Sequence, residues 1–223
     1  MSEQARQPWN VGRFMQTLTY FEALPVISWF QKMLPAFTPP APPQLQAGMI
    51  FDFRQSIADL DQTWGVLDDV VMGGASSSSF QAKDGAALFS GIVTTANSGG
   101  FASVRTRNFE PPLDLNNHSG IELQVRGDGQ RYKFLMRDED SWDSVAYAYS
   151  FDTEADQWQT VQIPFTEMTA VFRAKTVPDA SPINQGQVRS LQLMLSKFEY
   201  DGALNPSFQP GEFKLCVQSI GVY

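Results

Sequence analysis

Histidine and cysteine are almost missing from this 223-residue chain, which has one of each, His118 and Cys216. No intrachain disulfide can form, and a zinc site of Cys and His ligands is excluded on ligand count. A Ser–His–Asp triad would have to be built on His118. That residue sits in Asn116-Asn117-His118-Ser119-Gly120, a turn-forming run ahead of a strand, so a solvated histidine is expected. Cys216 alternates with Leu215 and Val217 and has no base beside it, which argues against a nucleophile. Basic runs are lacking too, and the formal charge is −8. Nucleic acid is therefore not expected as a partner, nor is a purely electrostatic hold on anionic lipid. Phosphate-cradling loops are missing. Gly73-Gly74 is not followed by Lys-Ser/Thr, and Gly127-x-Gly129 lacks a third glycine and a helix after it. No cofactor is expected. The start, MSEQARQPWN, has neither the basic-then-apolar pattern of a secretory signal nor the Arg-rich bias of a transit peptide. The sequon Asn117-His118-Ser119 is accordingly read as coincidence.

What the chain does have is apolar and aromatic material: 43% hydrophobic residues, with 17 Phe and 5 Trp. That suffices for a core, and flat side chains suit strands. From Met49 onward the pattern has period two. Ile121, Leu123 and Val125 alternate with polar residues, as do Tyr132, Phe134 and Met136. Val145 to Phe151, Val161 to Phe165, Leu191 to Leu195 and Phe213 to Val217 follow suit, with shorter apolar runs at 50–53, 86–92 and 101–105. About eight to ten strands without intervening helices predict an all-β, two-sheet antiparallel sandwich.

Ahead of it, WNVGRFMQTLTYFEALPVISWFQKMLPAF (9–37) reads as two short helices bent at Pro25. Phe14, Leu18, Phe21 and Leu24 share a helical face, and Asn10 is placed to cap its start. Glu22, Pro25 and Lys32 interrupt the segment well short of the ~20 apolar residues a membrane span needs. Two uses of its aromatic face stand open: packing on its own domain, or docking on a membrane-bound partner or the bilayer surface through Trp9, Phe14, Phe21, Trp29 and Phe30. The proline-rich TPPAPPQLQAG that follows is a semi-rigid connector. The expected division is a helical appendage at 1–37, a linker at 38–48 and the sandwich at 49–223.

Three features could carry chemistry or binding. The acids of RDEDSWD (Asp138, Glu139, Asp140, Asp143) could hold calcium, although the EF-hand pattern is lacking and solvated acids are the plainer expectation. Trp142, Tyr147, Tyr149 and Trp158 could stack sugar rings or simply fill the core. The stretch TWGVLDDVVMGGASSSSF (63–80) reads as a structural corner. In it Trp64 anchors a strand end, Asp68 and Asp69 accept backbone N–H bonds, Gly73-Gly74 supply unusual backbone angles, and the serines form a polar edge.

The spacing Trp64-x-x-x-Asp68-Asp69-Val70-x-Met72-Gly73-Gly74-x-Ser76 resembles the signature of the complex I intermediate-associated protein 30 family. The later blocks GGFASVRT, YKFLMRD, WQTVQIPF and LQLMLSKFEYDGALNPSFQPGEFKL agree in order. The resemblance covers about residues 49 to 223. It implies a galactose-binding-like jelly roll and a non-enzymatic role in assembling a membrane electron-transfer complex, complex I-like or a photosystem, by binding protein subunits. It marks Trp64, Asp68, Asp69, Met72, Gly73, Gly74 and Ser76 as shaping a partner-binding loop. The N-terminal segment resembles that of cyanobacterial and plastid members, implying a stand-alone protein in the cytoplasm, peripheral to the thylakoid or plasma membrane. Two further functions compete: a carbohydrate-binding module, and a hydrolase using Asp68 or Asp69.

Overall fold

The structure, a computed structural model, describes residues 10–21, 45, 48–55 and 60–223. Thirteen strands among them form two antiparallel sheets: β1 (Met49–Asp52), β2 (Trp64–Val66), β3 (Ser77–Lys83), β4 (Ala86–Val93), β5 (Phe101–Thr106), β6 (Gly120–Arg126), β7 (Arg131–Arg137), β8 (Ala146–Asp152), β9 (Trp158–Pro164), β10 (Thr169–Phe172), β11 (Lys175–Thr176), β12 (Ser190–Ser196) and β13 (Gly211–Val222). The first sheet runs β3-β4-β13-β6-β9, with β1 also paired to β13. The second runs β11-β10-β8-β7-β12-β5-β2. The predicted all-β sandwich is what forms.

The inward faces are the alternating positions that the sequence marks. Ile121, Leu123 and Val125 of β6 face Tyr132, Phe134 and Met136 of β7 and Leu191, Leu193 and Leu195 of β12 across the core, all fully buried. Each such side chain contributes on the order of 2 kcal/mol by leaving water. Strand β13 serves twelve residues with one irregularity. Its register against β6 shifts between Val217 and Ser219, so the inward set changes from Phe213, Leu215 and Val217 to Ile220. One extra residue is what moves side chains from one face to the other.

The second sheet departs from simple alternation because its outer face is covered as well. Ser103, Arg105, Lys133, Leu135, Ala146, Ala148 and Gln192 point away from the core, yet all are buried. Leu135, Ala146, Ala148 and Val171 make a small second apolar cluster there, with Met194 and Tyr200 against it.

The first predicted helix is present as α1 (Val11–Tyr20), and the Asn10 side chain accepts from Arg13 N at its start. It lies on its own domain. Thr17 is buried, and the Tyr20 hydroxyl donates to Asp61 O (2.9 Å) while its ring lies under the Arg107 guanidinium. That ring also lies so close to Gly65 that a Cβ there would come within 2.2 Å of it. Phe21 packs against Trp142 and beside Arg105, and Phe14 is half-buried. The docking alternative is thus corrected for Phe21, whose aromatic face is taken by the sandwich itself. Trp9, Trp29, Phe30 and the second predicted helix lie outside the described residues.

Candidate functional site

The signature stretch closes one end of the sandwich. Trp64 opens β2 and is buried against Phe51 and Phe80. After Leu67 the chain turns through a single 3₁₀ segment, Asp69–Met72, which Gly73 ends at φ +87, a left-handed angle suited to glycine.

Both acids point inward. Asp68 is 0% exposed and Asp69 is 1%. Asp68 Oδ1 accepts from Ser103 N (3.1 Å) on β5 and Ser78 Oγ (2.6 Å) on β3. Its Oδ2 accepts from Ser78 N (2.9 Å) and from the Arg13 guanidinium (2.9 Å) on α1. Asp69 Oδ1 accepts from Ser76 N (2.9 Å), and its Oδ2 accepts from Ser76 Oγ (2.7 Å) and Gly100 N (2.8 Å). One carboxylate therefore ties together the helix, the edge strand β3 of the first sheet and strand β5 of the second. The other ties the loop to the chain entering β5. Every oxygen receives at least one backbone N–H, a pattern that an amide side chain cannot reproduce, because its NH2 would face a donor in either orientation.

The glycines fit the same device. A Cβ on Gly74 or Gly99 would lie 2.3 Å from the Asp69 carboxylate, so neither position admits a side chain. Two blocks far apart in sequence, 64–76 and 99–106, meet at these carboxylates. The expected structural corner is real, but its partners Arg13, Ser78, Ser103 and Gly100 escaped the sequence argument. Only the glycine pair opening GGFASVRT hinted at a close approach.

Burial pushes the Asp68 carboxyl up to about 6, against the downward pull of the Ser78 and Ser103 hydrogen bonds and the Arg13 charge. A carboxyl with a folded pKa above its unfolded one holds its proton more tightly when folded. Its contribution to stability is thus complete below about pH 4 and is lost as pH rises through about 6. Urea unfolding of the natural chain and of Asp68→Asn should show this. The variant is less stable throughout, but it has no proton to lose at this position. The advantage of the natural chain is expected to shrink by up to about 3 kcal/mol between pH 4 and 7. A difference that stays flat across that range means the carboxyl is already ionised at the acid end.

Little of the signature reaches solvent. Trp64, Asp68, Asp69 and Ser76 are buried and Gly74 is closed over by Asp69, so these residues shape the loop from within rather than forming its surface. Met72 does reach out, 76% exposed at the tip of the turn. Around it lie α1, with Val11 and Met15 exposed, and the 94–100 loop, whose Asn97 amide donates to Gly73 O (3.0 Å). The 197–204 loop, carrying exposed Phe198 and Leu204, is joined to the same end by Lys197 N donating to Gly100 O (2.7 Å).

The other candidates do not converge. Asp138 accepts from Asn184 N, Asp140 pairs with Arg189 and Asp143 with Arg173, so the acids of that loop are drawn apart. No group of three His, Cys, Asp or Glu among the described residues could hold a metal. Tyr147 and Tyr149 belong to the core, Trp158 lies on the first sheet under Arg126, and Trp142 lies beside the second. His118 sits in a turn with its N–H on Leu115 O. No helix among the described residues is long and apolar enough to cross a membrane.

The profile of the family described as Complex I intermediate-associated protein 30 (CIA30) matches residues 51–217. The chain belongs to that family. The signature corner and the strands it joins fall within the matched region. An uncharacterized protein of Schizosaccharomyces pombe is 28% identical over 176 residues, 72% of this chain and 77% of that protein. Among solved structures, the fold is similar to the family 11 carbohydrate-binding module of the Clostridium thermocellum cellulase Lic26A-Cel5E (TM-score 0.56, 18% identity, 80% of this chain and 95% of that one). The family 11 module from Clostridium thermocellum in complex with a mixed-linked tetrasaccharide is similar to the same degree (0.55, 19%, 78% and 94%). At such identities the likeness concerns the jelly-roll fold.

Proposed function

We propose that this CIA30-family chain is a non-enzymatic assembly factor that holds protein subunits during biogenesis of a complex I-type membrane complex. The observation that carries the reading is the pairing of family membership with a fixed loop tip. Two buried carboxylates lock the 67–76 turn in place, and its one fully displayed large side chain is an apolar methionine. Exposed Val11, Met15 and Leu204 share that end. Adaptable apolar side chains grouped on a soluble surface suit contact with another polypeptide. Asp68 and Asp69 lie closed off with their oxygens already accepting hydrogen bonds, an arrangement suited to holding a loop rather than moving a proton. The glycan alternative would need an aromatic platform, and the four aromatic candidates are divided between the core and two different sheets.

Affinity capture from native membranes, with captured subunits identified by mass spectrometry, tests the reading. The full chain is expected to bring down complex I-type subunits. Met72→Asp, at a largely exposed position, should recover at least tenfold less while unfolding at the same temperature. Equal recovery by both proteins removes the loop tip from the interface. Recovery of photosystem subunits instead would assign the factor to a different complex.

A further inference from the structure

The outer face of the second sheet carries two arginines, Arg105 and Arg137, whose hydrogen bonds among the described residues all go to neutral groups. Arg105 lies opposite Gln192 in the β5–β12 pairing, and Arg137 lies opposite Ser190 in the β12–β7 pairing. Their side chains cross over β12. Arg105 Nε donates to Ser190 Oγ (3.2 Å) and Arg137 Nη1 to Gln192 Oε1 (2.8 Å). Arg105 is 2% exposed, and its other hydrogen bonds go to Trp142 O and Asn108 Oδ1, both neutral. Arg137 Nε is closed to solvent and has no acceptor. Ser144 Oγ, two residues before Ala146 on the neighbouring strand, is likewise buried without a partner.

Other charges on this face are balanced. Arg131 and Lys133 share Glu199, and Arg131 also reaches Asp152. The acids of the adjoining loop make their ion pairs elsewhere, Asp143 with Arg173 and Asp140 with Arg189, and the Asp143 charge offsets only part of the burial cost at Arg137. Burial and the charge of Arg137 push Arg105 well below its ordinary value, and burial pushes Arg137 down to about 10. Two like charges gathered out of water are costly unless something negative joins them. That a chain of net charge −8 gathers them here sharpens the point.

We infer that Arg105 and Arg137, with Gln192 and Ser190 between them, form a binding site for a small oxyanion, the carboxylate or phosphate group of a ligand. Guanidinium forks match both groups in shape, and Arg137 Nε supplies a free donor. Trp142 stands at the side against Arg105. This site lies apart from the Met72 loop, so its failure leaves the proposed function standing.

The full chain is titrated at constant ionic strength with inorganic phosphate, with malonate, or with sodium chloride alone. Unfolding temperature and tryptophan fluorescence are followed. At about twenty times the dissociation constant, phosphate or malonate should raise the unfolding temperature by about 5 °C over chloride. A response to malonate alone assigns a carboxylate ligand, and to phosphate alone a phosphorylated one. Arg137→Gln, or Arg137→Met should the first not fold, is expected to unfold above the natural chain in chloride and to bind the anion at least tenfold more weakly. Arg54→Gln, at an exposed pair with Asp52, should respond like the natural chain. Natural protein that responds to neither anion beyond chloride overturns the site, as does an Arg137 variant that binds equally well.

Discussion

Replacing Asp69 with alanine is expected to destabilise the protein by about 4 kcal/mol, the largest single effect of any change in the signature stretch. The carboxylate gathers Ser76 N, Ser76 Oγ and Gly100 N in a region closed to water. Its removal strands backbone donors at the entry to β5 and opens a void beside Gly74 and Gly99. Denaturant unfolding followed by fluorescence would show the midpoint falling without a change in slope. Asp69→Asn should recover less than half of the loss, because its NH2 must oppose one donor or another. Should the asparagine variant equal the natural chain, the carboxylate is serving only as a space-filler.

A chain beginning at Gly48 is expected to lose about 3 kcal/mol as well. On the sequence alone, the N-terminal segment looks removable. The structure ties it in through Arg13, which donates to Asp68 Oδ2 and to Ser76 O, and through Tyr20 and Phe21. Without Arg13, Asp68 keeps only neutral donors and its carboxyl is pushed up further, toward the protonated form. Breaking such a pair typically costs 3–5 kcal/mol, and the estimate sits at the lower end because a third of the Arg13 side chain is in water. Hydrogen exchange should quicken at Trp64–Val66 and at Ser76–Ser78, the segments beneath α1. An unchanged unfolding midpoint in the shortened chain would show that the helix rests on the sandwich without supporting it. Point substitutions on α1 are therefore cleaner tests of membrane attachment than truncation.

The long strands were legible because a single inner face imposes period two, as at Ile121, Leu123 and Val125. The short strands β2, β10 and β11 were not, since two to four residues cannot establish an alternation. The cover over the second sheet was equally hidden. In YKFLMRD the residues Lys133, Leu135 and Arg137 read as an ordinary outward row, and only the apolar Leu135 in its middle hinted that this row too is enclosed. The corner was half legible. That Asp68 and Asp69 accept backbone N–H groups follows from residue type, whereas the identity of those donors depends on strands β3 and β5, which are brought in by the tertiary fold. Arg13 could not be foreseen, because nothing local links a helix to a turn 55 residues away.

Locking the 67–76 turn before any encounter alters the cost of association. A floppy loop must surrender its conformational freedom when it meets a surface, and that surrender weakens the complex. Here the folding of the domain has already frozen the backbone beneath Met72, so a modest apolar contact can hold a client without first ordering the loop. Release then needs only the parting of two surfaces, which suits the proposed assembly role, in which contact ends once the complex is finished.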